Sequence, residues 1–195
     1  MENDLRKIPD TPIIREATTI VKAAVSQNIF HHSMRTYQLG AEYAEKVKVN
    51  YASEELLLSA LFHDIGLFSP YQVNGKPFQI ASSLALKDFL LNEKKIPPQR
   101  INAMMEAIDF HFQFLPRWDK GEVAGLLQIG AHMDVIGKNS QMIDVNKRRE
   151  ILNQYPKNFF FLEFNLCLFK SFSSISSLLG IFFPENYFSH NHYNT

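Results

Sequence analysis

The sequence predicts an all-α chain folded as one helical domain, and three observations carry that expectation. Apolar residues recur at helical spacing in one segment after another, helix-start signals stand in front of those segments, and Gly and Pro punctuate the joins. No internal repeat, heptad array or glycine-rich phosphate loop breaks the pattern. With 195 residues, 46% of them hydrophobic, the chain is long enough to bury one substantial core.

Thr11-Pro12 opens a first helix over Ile13 to Val25. A second carries His32, with Met34, Tyr37, Ala41, Ala44 and Val47 marking its apolar face. Ser53, Glu54 and Glu55 form a capped, acidic start to a third, which is apolar from Leu56 to Phe62 and reaches His63-Asp64, with Gly66 as its stop signal. The segment from Phe68 to Phe78 contains Ser-Pro, Asn-Gly and Lys-Pro, so a loop with room for a short hairpin is expected to cover the chain just after His63-Asp64. A fourth helix follows from about Ala81 to Lys94, and Pro97-Pro98 starts a fifth that runs through Ile101, Met104, Met105 and Ile108 to His111. A sixth opens on Asp119-x-x-Glu122, a capping-box signature, and carries Asp134 among Val123, Leu126, Leu127, Gly130, Ala131 and Val135. The core is expected over about residues 14–155, with 156–195 a helical extension and polar tail. In that extension Phe164 to Phe183 is about membrane length, but Lys170 and five serines favour a core or dimer helix packed through Leu166, Phe169, Ile175, Leu178 and Leu179. A homo-oligomer is therefore admitted and a membrane span is not expected.

Three of these helices each bring a polar group into an apolar segment. An ionised Asp64 buried at the end of the third helix costs several kcal/mol or more unless it is paired or coordinates a cation. No Lys or Arg occurs between Ala52 and Gly75, so compensation must come from elsewhere in the fold or from a metal ion. His32 and Asp134 raise the same question, with Arg35 three residues after His32. Singly, each is read as a hydrogen-bonded core residue or a structural Asp-Arg pair. Together, two imidazoles and two carboxylates make a hard-to-borderline metal site.

His32-Ser33-x-Arg35, then His63-Asp64-Ile65-Gly66, then Asp134 form an ordered set that resembles the H...HD...D signature of the HD-domain superfamily of metal-dependent phosphohydrolases. The likeness runs from about Ile14 to Tyr155 and is closest to the cyanamide hydratase-like branch, through FQIASSLALKDFL, EAIDFHFQF and the GxxxDxxG element at Gly130 to Gly137. It implies an HD-type bundle with a metal site in its core. Metal coordination falls on His32, His63, Asp64 and Asp134, and a catalytic role on Asp64 and on His111, which would face substrate or the water on the metal. A helix-end histidine bonded to backbone is the alternative for His111. His31 and His132 are set aside, because immediate neighbours on a helix face different directions. Phe78-Gln79 departs from the branch, which often carries an acidic residue there.

Dinuclear members generally need an extra histidine pair between the positions of His63 and Asp134, and only His111 and His132 stand in that interval. One divalent ion is therefore expected, zinc first, with iron, manganese or nickel as alternatives. Such an ion leaves positions for water and substrate and lowers the pKa of its water from about 15.7 toward about 7. Two chemistries follow: hydration of a small nitrile-like or amide-like substrate, with His111 assisting proton transfer, or phosphate-ester hydrolysis on a nucleotide or small phosphomonoester. In the second, Arg35, Lys76 or Arg117 would neutralise the phosphate, although Arg35 also reads as a structural ion pair and the other two as surface charge. A catalytically silent binding module is the third reading.

Phe68, Tyr71, Phe78, Phe112, Phe114 and Trp118 flank the site in sequence and suit a small dry pocket. Arg35, Phe68, Phe78 and Phe112 are the candidates for touching substrate. Net charge is zero with no long cationic block, which argues against a nucleic-acid partner and for a small molecule. The one cysteine, Cys167, cannot form an internal disulfide, and MENDLRKIPDTP lacks a secretory apolar run, so a cytoplasmic setting is expected.

Overall fold

Residues 5–92 and 96–171 are described by the computed structural model. They form eight α-helices and three short 3-10 turns, with no strand among them. α1 (Pro12–Ala24) starts where Thr11 Oγ accepts from the Ile14 amide at 3.4 Å. α2 (Gln27–Val47) is capped by Ser26 and ends at Lys48 in the left-handed region.

α3 (Ser53–Phe62) is buried from Leu56 to Phe62, which makes it the central helix of the bundle. Ser53 does not cap it as expected: Ala52 occupies the cap position and makes no side-chain bond. The acidic first turn is tied elsewhere, Glu54 accepting from the Thr11 hydroxyl at 2.7 Å and Glu55 pairing with Arg100.

Gly66 lies not at the end of α3 but inside a 3-10 turn, Ile65–Leu67. Its missing side chain answers a close approach, because a Cβ there would stand 2.3 Å from the Phe78 carbonyl oxygen. That contact seats the start of α4 (Phe78–Asn92), which begins earlier than expected because the Pro77 carbonyl accepts from the Ile80 and Ala81 amides. The expected end near Lys94 lies outside the described residues.

α5 (Pro98–Phe110) ends with His111 at its C-cap, as the Pro pair and apolar spacing predict. α6 (Glu122–Ile136) corrects the expected capping box. Gly121, at φ 103°, takes the cap position, while Asp119 sits in a separate 3-10 turn, Trp118–Lys120, with its carboxylate on Arg117. α7 (Val145–Gln154) is capped by Asp144, and α8 (Phe160–Ser171) takes up the start of the apolar C-terminal run. No helix among the described residues is long and apolar enough to cross a membrane. Residues 172–183 of that run lie outside the described residues, with Ile175, Leu178 and Leu179 among them.

The pairing of α2 with α6 is the most extensive in the bundle, and two glycines make it close. A Cβ on Gly130 would stand 2.2 Å from the Thr36 carbonyl oxygen, and one on Gly40 would stand 2.8 Å from that of Leu126. Residue numbers rise along α2 as they fall along α6, so the helices are antiparallel and His32 and Arg35 meet Asp134 at one end. A second apolar cluster of Ile29, Leu67, Phe78, Phe160 and Phe164 lies beside that end and ties α8 to it.

Candidate metal centre

His32 on α2, His63 at the end of α3 and Asp64 beside it converge, all three at most 2% exposed. One ligand atom of each lies within 4.8 Å of the others. His32 Nε2 approaches His63 Nε2 at 3.1 Å and Asp64 Oδ2 at 3.5 Å, and His63 Nε2 stands 3.3 Å from the same oxygen. His111 faces the group from α5, its Nε2 3.7 Å from Asp64 Oδ1 and its ring edge-on to His63.

The outer nitrogens fix what the inner ones present. His63 Nδ1 donates to the Ala60 carbonyl at 2.7 Å, His111 Nδ1 donates to that of Ile108, and His32 Nδ1 lies 2.7 Å from the Asp134 carboxylate. A carbonyl or ionised carboxylate only accepts, so each neutral ring carries its proton outward and turns an Nε2 lone pair inward. Burial pushes His63 and His111 down to about 3, with the neighbouring imidazoles adding to the effect, so both are neutral at physiological pH.

Asp64 is left with two buried oxygens that have no hydrogen-bond donor. Burial raises its pKa. Imidazole nitrogens thus converge on a buried carboxylate that receives no hydrogen bond, an arrangement that a cation satisfies. The residues present fit a divalent metal ion: two imidazoles and a carboxylate are a usual ligand set, with further positions left for water or substrate.

Asp134, expected as a fourth ligand, stands one imidazole away. Its Oδ2 accepts from His32, and Arg35 grips both oxygens through Nε at 2.8 Å and Nη2 at 2.9 Å. Burial alone would raise its pKa, but the bonds to His32 and Arg35 more than offset this and hold Asp134 well below the usual carboxylate range. The rest of the Arg35 fork donates to the Tyr155 and Pro156 carbonyls at 3.0 Å. Arg35 thus makes the contacts of a structural ion pair, with its guanidinium turned to the far side of Asp134.

The ligand atoms open on a cavity of about 20 Å³, lined also by His111, Phe112, Ala131, His132, Val135 and Phe164. That is room for about one water-sized particle. Of the candidates for touching substrate, Phe112 lines it, Phe78 packs its ring edge against His111 at 5.8 Å, and Phe68 belongs to the apolar cluster behind. Tyr71 packs on the main core, Trp118 covers Gly125, and Phe114 is 78% exposed at the rim of an adjoining groove. Lys76 borders a separate pocket, and Arg117 is held by Asp119.

Three residues not expected from the sequence complete the site. Phe160 stacks on His32 with ring centroids 4.5 Å apart, and Phe164 closes the cavity from the same helix. His132 lines the cavity although it neighbours Ala131 and Met133 on α6. The buried Gln128 amide, anchored on the Gln113 carbonyl, donates to His132 Nδ1 at 2.9 Å. The neutral His132 ring therefore carries its proton on Nε2, unlike the other three imidazoles. His31 points away, its Nδ1 3.3 Å from the Pro156 carbonyl.

The HD domain family model matches residues 29–136, more than half of the chain and the span that holds every one of these ligand atoms. The protein belongs to the HD domain family, whose members are mostly metal-dependent hydrolases. No curated protein matches it.

Proposed function

We propose that this HD protein is a metal-dependent enzyme that adds water to a small uncharged substrate, in the manner of the cyanamide hydratase-like branch. One observation carries the reading: the cavity at the ligand atoms is lined by four imidazoles, a carboxylate and apolar side chains, with no Lys or Arg among the described residues. A phosphoryl group in that cavity would bring negative charge beside Asp64 with no side-chain cation to meet it.

His32, His63 and Asp64 would hold the ion, zinc by preference, with iron, manganese or nickel also suited to mixed N/O ligands. When bound, the ion supplies Lewis acidity and ionises water near neutral pH. Asp134, clamped by Arg35, keeps the His32 proton on Nδ1 and so keeps Nε2 available. In this reading His111 Nε2, beside Asp64, would take a proton, and His132 Nε2–H would give one to a substrate nitrogen or oxygen. Phe112, Val135 and Phe164 exclude bulk water. The same three residues and His132 also line an apolar groove of about 440 Å³, which would serve as the way in.

The test is turnover by the metal-loaded protein, with cyanamide and small nitriles set against nucleoside monophosphates. Formation of the hydrated amide or urea is expected, with His111→Ala and His132→Ala lowering turnover while metal content holds. Release of inorganic phosphate, with no hydration, would replace this reading by the phosphohydrolase one.

A further inference from the structure

On the reverse side of Asp134 lies a second pocket, of about 200 Å³, that shares no lining residue with the metal cavity. Arg35, Arg148 and Lys157 bring three cations to its wall, and Asp134 brings the one carboxylate. Asp134 is already doubly bonded by Arg35 and has Lys157 Nζ 3.1 Å from its Oδ1. Its charge is therefore spent, and the wall is left net positive.

Arg148 makes the excess specific. Its Nε is buried and has no hydrogen-bond partner among the described residues. Asp144, the cap residue one turn before it, accepts through Oδ1 from the amides of Asn146 and Lys147. Arg148 lines the pocket with that N–H left unbonded, a cost that an acceptor reaching its guanidinium would relieve. Leu39, Met133, Ile151 and Leu152 supply aliphatic lining beside these cations. The volume falls below the roughly 300–1,000 Å³ of a drug-sized ligand site.

We propose that this pocket binds a small organic anion, a carboxylate on a short aliphatic chain. The carboxylate meets Arg148, whose planar fork matches it, and Lys157, while the chain packs on the leucines, Met133 and Ile151. Through Lys157 and Asp134 the occupant sits against the residue that holds His32. The site is independent of the reaction proposed above and stands or falls without it.

The test is calorimetric titration of the full chain, metal in place, with butanoate, its neutral amide butyramide, and inorganic phosphate. Saturable binding of butanoate is expected, with butyramide silent and phosphate weaker. Arg148→Gln should weaken butanoate by about tenfold or more, the loss of one charge-assisted bond. Leu152→Glu, at a position 41% exposed that tolerates a polar residue, should abolish binding by repulsion and supplies the test if the Arg148 variant fails to fold. Absence of butanoate binding, equal binding of butyramide, tighter binding of phosphate, or undiminished affinity in the soluble variants would each overturn the proposal. The last result would place the carboxylate on the metal instead.

Discussion

At Asp64 the physical case for a cation is most exposed, because the residue is a buried carboxyl group with no donor, and it differs there from Asp134, whose every oxygen is held. Asp64→Ala is expected to abolish metal binding and turnover while leaving the metal-free protein no less stable, since the wild-type carboxylate stabilises nothing in the ion's absence. Elemental analysis and urea unfolding of the metal-free forms check both parts, and a variant that keeps its metal would make Asp64 structural. Arg35→Met tests the opposite case. Removing one partner of a buried ion pair strands the other, so about 3–5 kcal/mol of stability should be lost in urea unfolding. Arg35→Lys should recover little of it, because an ammonium cannot reproduce the two-pronged grip.

The helices were largely legible before the fold was known, and their junctions less so. Thr11-Pro12 and Pro97-Pro98 mark two starts within a residue, because Pro at the first helical position and a hydroxyl before it act locally. Asp119-x-x-Glu122 misleads because Gly121 turns the chain and Arg117 takes the carboxylate, a competition the spacing does not reveal. His32 and His63-Asp64, expected as ligands, converge, while Asp134, expected as a fourth, lies behind His32. Phe160 was not legible, since its stacking on His32 spans most of the chain and its segment reads simply as apolar. Nor was His132, whose orientation depends on Gln128 reaching across to the α5–α6 connection. The glycines of the α2–α6 seam supply the prediction at this scale. Gly130→Ala must push a Cβ into the Thr36 backbone rather than a flexible side chain, so about 1–3 kcal/mol of stability should be lost. Metal affinity should fall with it, as His32 moves from its partners. Thermal unfolding and a metal titration measure the two, and an unchanged metal affinity would mean that the seam does not set the site.

For the molecule as a whole, the buried imidazoles set the response to acid. His63 and His111 are held at about 3 and His132 at about 4, all by burial first, against about 6.5 in the unfolded chain. The unfolded chain binds more protons in that window, so the stability these groups contribute is full above about pH 6.5 and is lost as the pH falls toward 4. Asp64, with its raised pKa, works in the other direction, one carboxylate against three imidazoles. Unfolding of the metal-free protein should accordingly become easier between pH 7 and pH 4, and a flat profile would contradict neutral buried histidines. With the ion bound the decline should be steeper, because protons displace it from its ligands. The measurement that bears most directly on the centre is anomalous diffraction from crystals of the metal-loaded protein, collected at the edge of the bound element. One peak is predicted, at about 2.0–2.2 Å from His32 Nε2, His63 Nε2 and an Asp64 oxygen. A peak remote from these three atoms, two peaks of full height, or none in protein shown to contain the metal would contradict it.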